Sequence, residues 1–217
     1  MQMSIQVLEY IKKNYKDHAI EANGVVIARY FAVEDHYKAE AYMEQNLLNI
    51  ILEGKKMLHT KKGDVEVRAG EAFFLSRGEY VMSEVCEGGN YACLLIFFDE
   101  KVIGNWLSPI LEKIPLHVKM PSHTPEPFCK IELTPIMKST ALSLLPFIEQ
   151  KPAFVDKILV LKLQELLLLF WALLRVKSWS LTFIHCFQEV SIFWCLWRRI
   201  LCKTGVLQSL QNVVAEV

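Results

Sequence analysis

The 217-residue sequence predicts an α+β chain, in which a small β-barrel precedes an antiparallel helical region. Short strand-like runs separated by glycine fill the first half, and the second half changes to helical periodicity. The apolar content of 53% is above the usual value of about 45–50% and allows a sizeable core. The expected organisation is an N-terminal helical arm at 1–23, a barrel with a trailing helix at 24–120, a helical dimerisation region at 121–174 and a tail at 175–217.

The first half alternates apolar runs with turn signals. The run GVVIARYFAV, from Gly24, is rich in β-branched and aromatic residues, and NLLNIILEG ends at Gly54. Gly70 and Gly78 interrupt the later runs, and YACLLIFF at 91–98 is apolar enough for burial on both faces. Strands repeated at intervals of roughly 8–12 residues indicate a sandwich or a barrel.

The second half carries helix signals. FDEKVIGNWLSPILEKI suits a helix with Asp99 as its N-cap. Thr134 followed by Pro135 is typical of a helix start, and Pro146 should kink or shorten that helix.

The segment KPAFVDKILVLKLQELLLLFWALL predicts the longest helix, and it carries a heptad seam. We expect this seam to form a dimer interface; its residues are Leu159, Leu163, Leu166, Phe170 and Leu173. Leu161 and Leu168 lie on a different face, so one side can pack on its own domain while the other meets a partner. A helix buried on all sides within one domain is the alternative.

Charge and cysteine content restrict the partners and the cellular compartment that the chain can have. The formal net charge is zero, which argues against strong whole-chain attraction to nucleic acid or anionic lipid. The six cysteines form no CxxC pair, and no secretory signal opens the sequence. The most apolar run, at 158–174, contains Lys162 and Glu165 and is shorter than the ~20 apolar residues that a membrane span needs. The prediction is a cytoplasmic protein with reduced thiols and no membrane partner.

Catalytic and metal-binding patterns are absent from the sequence. A barrel of this size can be a cupin enzyme, whose metal site needs clustered histidines and carboxylates. LNIILEGKKMLHT offers only His59, and His36, His117 and His123 share no spacing with it. No phosphate-binding loop or nucleophile motif is present. The sequence therefore predicts no metal, no cofactor and no enzymatic activity.

Three motifs occur in order: an LEG turn, an AGExxFxxRGxY run and an LKxxELLxLF helix at 161–170. The residues of the first two are Leu52, Glu53, Gly54, Ala69, Gly70, Glu71, Phe74, Arg77, Gly78 and Tyr80. This combination, over residues 25–174, resembles the N-terminal regulatory domain of bacterial AraC-type transcriptional activators. The similarity is greatest to the exoenzyme S synthesis regulators, which control type III secretion genes.

The resemblance implies a cupin-like barrel followed by helices, a homodimer formed through the late helix, and a C-terminal DNA-binding domain with two helix-turn-helix units. It further implies control by an anti-activator protein, as in that branch, or by a small effector in the barrel. The motif positions Gly54, Gly70, Glu71, Arg77 and Gly78 then belong to the barrel turns.

The tail departs from the rest of the chain in composition. Four of the five tryptophans and half of the six cysteines follow Phe170, and acidic residues nearly vanish. The residues after Leu174 contain no helix-turn-helix pattern, and Arg198 and Arg199 are their only adjacent basic pair. One interpretation is a frameshift that replaced the DNA-binding domain; an amphipathic membrane-surface helix and an extra core or dimer helix are the alternatives.

The sequence thus predicts the regulatory and dimerisation part of a truncated AraC-type regulator, controlled by a protein or a small effector. DNA would be a partner only if the missing C-terminal domain is present. A stand-alone cupin-like sensor that binds a ligand or a protein, and never DNA, is the alternative. A metal-independent cupin enzyme is a third.

Overall fold

The computed structural model describes residues 4–99, 102 and 128–176, with side chains through residue 170. Its strands are β1 (Ile5–Gln6), β2 (Ala19–Ala22), β3 (Val25–Ala32), β4 (His36–Met43), β5 (Asn46–Glu53), β6 (Lys55–Thr60), β7 (Gly63–Arg68), β8 (Glu71–Leu75), β9 (Gly78–Val85), β10 (Tyr91–Phe98) and β11 (Phe128–Glu132). Its helices are α1 (Val7–Asn14), α2 (Pro135–Leu142), α3 (Leu145–Gln150) and α4 (Val155–Val176), with a short 3-10 turn at Lys16–His18.

The described strands form two sheets. The five-stranded sheet has the order β1-β4-β9-β6-β7, and the six-stranded sheet has the order β11-β8-β5-β10-β3-β2. The pairings are antiparallel except between β1 and β4. The sheets pack on each other as a cupin-like sandwich, so the closed barrel that the sequence predicted is corrected to two separate sheets.

Strand β10 lies at the centre of the six-stranded sheet and is buried along its whole length. Leu94, Ile96 and Phe98 point to a core shared with helices α2 to α4, whereas Tyr91, Cys93, Leu95 and Phe97 point to the core between the sheets. Side chains alternate across a strand, so a strand with both faces covered must be apolar at every position. The prediction of burial on both faces is confirmed.

The described part of the chain therefore has two cores. Phe73 and Leu75 lie in the core between the sheets, while Ile50 lies in the core beneath the helices. Helices α2 to α4 cover the outer face of the six-stranded sheet, and the order of these layers is sheet, sheet, helix.

The local helix signals are confirmed. Thr134 is the N-cap of α2 and its Oγ1 accepts a hydrogen bond from the backbone N–H of Met137 at 3.4 Å. Helix α2 ends at Leu142, and α3 follows with Pro146 in its first turn. A proline is tolerated there because first-turn N–H groups have no partner within the helix.

Strand β4 was not expected from the sequence. Its residues, HYKAEAYM, include alanine, lysine and glutamate, which are depleted in strands. Antiparallel pairing with β9, in which Ala41 lies opposite Tyr80, holds the segment in extended form. Tertiary pairing outweighs local propensity here.

Several sequence expectations fall outside the described residues. These are the helix predicted after Asp99, apart from Val102, and the tail beyond Val176. The segment predicted as an N-terminal arm holds α1 and also the edge strand β2. In the described part of the chain, no helix has the length and apolar character needed to cross a membrane.

A tight turn joins β5 to β6 at Gly54. Its φ is +71°, and an added Cβ would lie 2.6 Å from the carbonyl oxygen of Val85 and 2.9 Å from that of Asn90. Both neighbours are backbone atoms that no side-chain rotation can move. Gly88 has nearly the same φ, +72°, but an added Cβ there meets nothing within 4 Å.

We predict that Gly54→Ala destabilises the chain far more than Gly88→Ala. The left-handed conformation alone costs an alanine roughly 1–2 kcal/mol, and only Gly54 adds a backbone clash. Urea unfolding of both variants measures the difference directly. Equal losses of stability would contradict the turn geometry.

Candidate functional site

A cavity of about 180 Å³ lies between the two sheets. Most of its wall is apolar, and a smaller polar part is contributed by both sheets. The apolar wall includes Ile11, Leu47 and Leu95, and the polar part includes Asn49, Lys56 and Glu84. A cavity that is mainly apolar with a few convergent polar groups is the usual form of a small-molecule site.

The polar part of the wall is organised around Glu84. Lys56 lies directly opposite Glu84 on β6, and its Nζ is 2.6 Å from Oε1 of Glu84. Tyr30, from the opposite sheet, donates its hydroxyl hydrogen to Oε2 of Glu84 at 2.7 Å. Nδ1 of His36 lies 2.9 Å from the same oxygen. Glu84 thus links strands β4, β9 and β6 to the facing sheet.

Both members of the ion pair are buried, Lys56 with 7% and Glu84 with 9% of its surface exposed. Burial by itself raises the pKa of Glu84, but Lys56, His36 and Tyr30 together outweigh it, so the pKa lies below its ordinary value. Glu84 is therefore ionised at neutral pH. Burial, together with the neighbouring carboxylate of Glu84, raises the pKa of Tyr30. The hydroxyl of Tyr30 therefore stays protonated at neutral pH and can donate its hydrogen bond to Glu84.

Two further polar groups of the cavity wall come from the six-stranded sheet. Burial raises the pKa of the Cys93 thiol to about 12, so this thiol is protonated at neutral pH. Asn49 is only 2% exposed, and its Oδ1 has no hydrogen-bond partner among the described residues. A buried carbonyl oxygen without a partner costs about 1–3 kcal/mol, which makes Asn49 the group of this wall most in need of a ligand.

The sequence contains a signal for these residues that the sequence-based predictions missed. Asn49 has the same strand parity as the buried Leu47 and Ile51, Lys56 has that of Leu58, and Glu84 has that of Met82. A polar residue in the inward-facing set of a strand is unusual and must find a partner inside the fold. Assigning every second residue of each strand to the interior would have identified all three residues as buried polar groups.

The N-terminal segment forms one side of the cavity. Ile5, Val7 and Ile11 line it, and β1 holds the segment by pairing with β4 at Ile5 and Ala41. The carboxylate of Glu44 accepts hydrogen bonds from the backbone N–H groups of Leu8 and Glu9, at 3.2 and 3.3 Å. A carboxylate at this position satisfies free N–H groups of the first turn of α1.

A second polar cluster lies on the outer face of the five-stranded sheet. His59 is within 2.8 Å of Asp64 through Nδ1 and within 2.8 Å of Ser83 through Nε2. This order of contacts is that of a serine–histidine–aspartate triad. Ser83, however, is 3% exposed, and its hydroxyl oxygen accepts the backbone N–H of Lys38 at 2.9 Å. The cluster ties β4 to β6 and β7, and we assign no reaction to it.

Of the four histidines that share no ligand spacing in the sequence, the structure describes two, and both form hydrogen bonds. His36 contacts the carboxylate of Glu84 and His59 that of Asp64, while His117 and His123 lie outside the described residues. No group of three or more histidine, cysteine, aspartate or glutamate residues in the described ranges is arranged to hold a metal ion.

The heptad seam of α4 does not lie on an exposed face. Leu159, Leu163, Leu166 and Phe170 are buried in the core beneath the helices, with Leu163 3% exposed. The expectation that these side chains meet a second copy is corrected, because the six-stranded sheet already covers them. The side chain of Leu173 lies outside the described set. Leu161, on the other face, is 66% exposed.

The turn-motif residues lie at the two ends of β8. The backbone N–H of Ala69 donates to the carbonyl of Gly54 at 3.2 Å, and that of Gly70 donates to Ile51 at 3.0 Å, so two turns are joined. Glu71 accepts the backbone N–H of Arg68 at 2.8 Å and pairs with Lys130 of β11 at 2.7 Å. Arg77 is exposed and Gly78 begins β9, beyond the opposite end of β8. None of the five residues lines the cavity.

Comparison with protein families finds a match to the ExsA N-terminal regulatory domain over residues 46–175. The matched range begins at β5 and runs through α4, so it contains Asn49, Lys56 and Glu84 but not the N-terminal wall of the cavity. Curated protein sequences give no match.

Solved structures show similarity in fold. Apo ToxT from Vibrio cholerae, a single-substitution variant, aligns with a TM-score of 0.50 and 10% identity, over 67% of this chain and 55% of that chain. ToxT with a bound unsaturated fatty acid aligns with a TM-score of 0.46 and 12% identity, over 66% and 53%. A cupin superfamily protein from Desulfitobacterium hafniense aligns with a TM-score of 0.32 and 12% identity, over 37% and 72%. The present chain therefore spans about half the length of ToxT.

We predict that Glu84→Gln destabilises the chain by about 3–5 kcal/mol, because it leaves the charge of Lys56 buried without a counter-charge. The double variant Lys56→Met with Glu84→Gln should recover most of this loss. Urea unfolding gives both values.

Glu79→Gln is the matched control, since Glu79 is exposed on the same strand, and it should change stability by less than about 0.5 kcal/mol. If the single and double variants at the ion pair are equally destabilised, Glu84 does not serve as the counter-charge of Lys56.

Proposed function

Because the chain belongs to the family of ExsA N-terminal regulatory domains, we propose that it controls transcription by coupling an effector site between its sheets to the pairing of two copies. The family consists of regulatory domains of AraC-type activators of type III secretion. A family match that spans four of the cavity strands, β5, β6, β9 and β10, together with the late helix is the observation that carries this proposal. The site of action would be the bacterial cytoplasm, where transcription takes place.

Effector control is supported by the composition of the cavity wall. Burying a charged pair in a small sandwich costs desolvation free energy. Hydrogen bonds from both sheets offset part of this cost at Lys56 and Glu84. Because Glu84 connects the two sheets, a molecule bound beside it can change how they pack. The N-terminal wall would respond to the same change, since β1 pairs with β4 and Ile11 is buried in the core between the sheets.

Pairing of two copies is supported by an apolar stripe defined by Leu161 and Leu168 of α4 and by Phe154, which lies just before the helix. Leu161 and Leu168 are spaced by seven and therefore share one face of α4, whereas Phe154 precedes the helix with a φ of +61°. Phe154 is 79% exposed and its carbonyl accepts hydrogen bonds from Lys157 and Ile158 at the helix start. Leu168 is half-buried against the core. The stripe faces away from the buried seam and replaces it as the proposed dimer interface.

A protein effector, such as an anti-activator, is a second candidate that a different surface favours. Phe31, Val33 and Tyr37 are exposed apolar residues at the turn between β3 and β4. Exposed apolar residues grouped in this way mark protein interaction sites. The alternative function, a stand-alone sensor that never binds DNA, would use the same two sites. It would differ from a transcription regulator only in the process that the bound effector controls.

We predict that the chain sediments as a dimer and that Leu161→Glu weakens dimerisation at least about tenfold, because it places two carboxylates in an apolar interface. The same variant should lose repression when the full chain is fused to a DNA-binding domain that represses only as a dimer. Analytical ultracentrifugation and the reporter measure the two effects.

Leu163→Glu serves as the comparison, because Leu163 is buried within one copy. It should lower the melting temperature sharply instead of giving a folded monomer. A folded dimer of unchanged affinity in Leu161→Glu would refute the proposed interface.

For the protein effector, we predict that Val33→Glu combined with Tyr37→Glu weakens binding of a type III secretion anti-activator at least about tenfold. Leu142→Glu, an equivalent change at an exposed apolar residue of α2, should leave the affinity unchanged. Surface plasmon resonance on the folded variants distinguishes the sites, and equal effects of both changes would argue against this surface.

A further inference from the structure

We propose that the cavity between the sheets binds an uncharged molecule with an aromatic or other compact apolar body and one N–H or O–H donor, which Asn49 receives. This inference rests on the proposed function and adds the chemical class of the effector. Three properties of the cavity lead to it: its size, the pairing of its charges, and Oδ1 of Asn49, which has no hydrogen-bond partner in the described part of the chain.

The size of the cavity limits the body of the ligand. An apolar cavity of about 150 Å³ in a protein core takes up benzene. At about 180 Å³, this cavity suits a substituted single ring or a small fused pair of rings. The wall at Leu47, Met43, Met82 and Leu95 is apolar, so it favours such a body over a polar one.

The charges of the wall exclude an ionic head group. The ammonium group of Lys56 is paired with Glu84 at 2.6 Å, and both carboxylate oxygens of Glu84 already accept hydrogen bonds. A ligand carboxylate would meet the charge of Glu84 in a poorly solvated space, and a ligand cation would meet that of Lys56. An uncharged ligand avoids both repulsions.

The acceptor that remains is Oδ1 of Asn49. It is buried, it belongs to a residue of the cavity wall, and it has no partner among the described residues. A site built to receive a hydrogen-bond donor discriminates against the isostere that lacks it, because the buried acceptor is then left unpaired. Asn49 would therefore determine specificity.

The test titrates the full chain with four probes by calorimetry. Indole carries a donor on a compact aromatic body, and indene has the same shape without the N–H group. Benzoate and benzylamine supply an anionic and a cationic head group. We expect indole to bind, with indene, benzoate and benzylamine each at least about tenfold weaker.

Two variants at buried asparagines of β5 assign the effect to one atom. Asn49→Leu should reduce the preference for indole over indene to within about twofold. Asn46→Leu should leave the preference intact, since Asn46 is equally buried but does not line the cavity. The comparison of indole with indene on the unchanged chain decides the matter even if a variant does not fold.

Tighter binding of benzoate than of indole would overturn the proposal and assign the head group to Lys56. Absence of binding by all four probes, or equal binding of indole and indene, would also overturn it. Either result leaves the proposed regulatory function standing if the full chain still dimerises in the reporter test. Loss of dimerisation with retained indole binding would instead remove the proposed function and leave the ligand site.

Discussion

The carboxylate of Glu84 is the contact on which the arrangement of the two sheets depends. It receives Lys56 and His36 from the neighbouring strands of its own sheet and the hydroxyl of Tyr30 from the facing sheet. A core made only of leucine, isoleucine and phenylalanine would tolerate small shifts of one sheet over the other. A buried carboxylate that must keep three partners within about 3 Å permits far fewer, since losing one partner leaves a polar group unsatisfied.

The same arrangement separates the two proposed tasks of the chain, effector binding and dimerisation, in space. The six-stranded sheet buries one face under the helices and the other against the second sheet, so its central strand contributes to both cores. The proposed dimer stripe lies on the outside of the helix layer, and the cavity lies on the far side of the sheet. A change in the cavity can reach the helices only through this sheet, whose close packing transmits small displacements. The proposed coupling of effector binding to dimerisation therefore has a physical route within one folded unit.

Much of this fold could be predicted from the sequence, because most of its signals are local. The strand run at 91–98, the cap at Thr134 and the break at Pro146 each depend on neighbouring residues and were predicted correctly. Strand β4 was not, because its alanine, lysine and glutamate residues suit a strand only beside β9. Closure was predicted wrongly as a barrel, since alternation along strands is the same in a barrel and a sandwich.

The site was harder to predict for a related reason. Heptad spacing in α4 identifies an apolar face but not what covers it, and the sheet of the same chain covers the seam. Lys56 and Glu84 are far apart in sequence and become a pair only through the register of β6 and β9.

The central claim is that Glu84 is held ionised inside the sandwich by its partners. Carbon-13 NMR titration of the Glu84 carboxyl group in the folded chain tests it most directly. The account predicts a pKa below the ordinary value of 4.5, because Lys56, His36 and Tyr30 outweigh the cost of burial. A measured pKa above that value would mean that burial outweighs the partners and would contradict the claim, and a pKa above neutral would also leave Lys56 without its counter-charge.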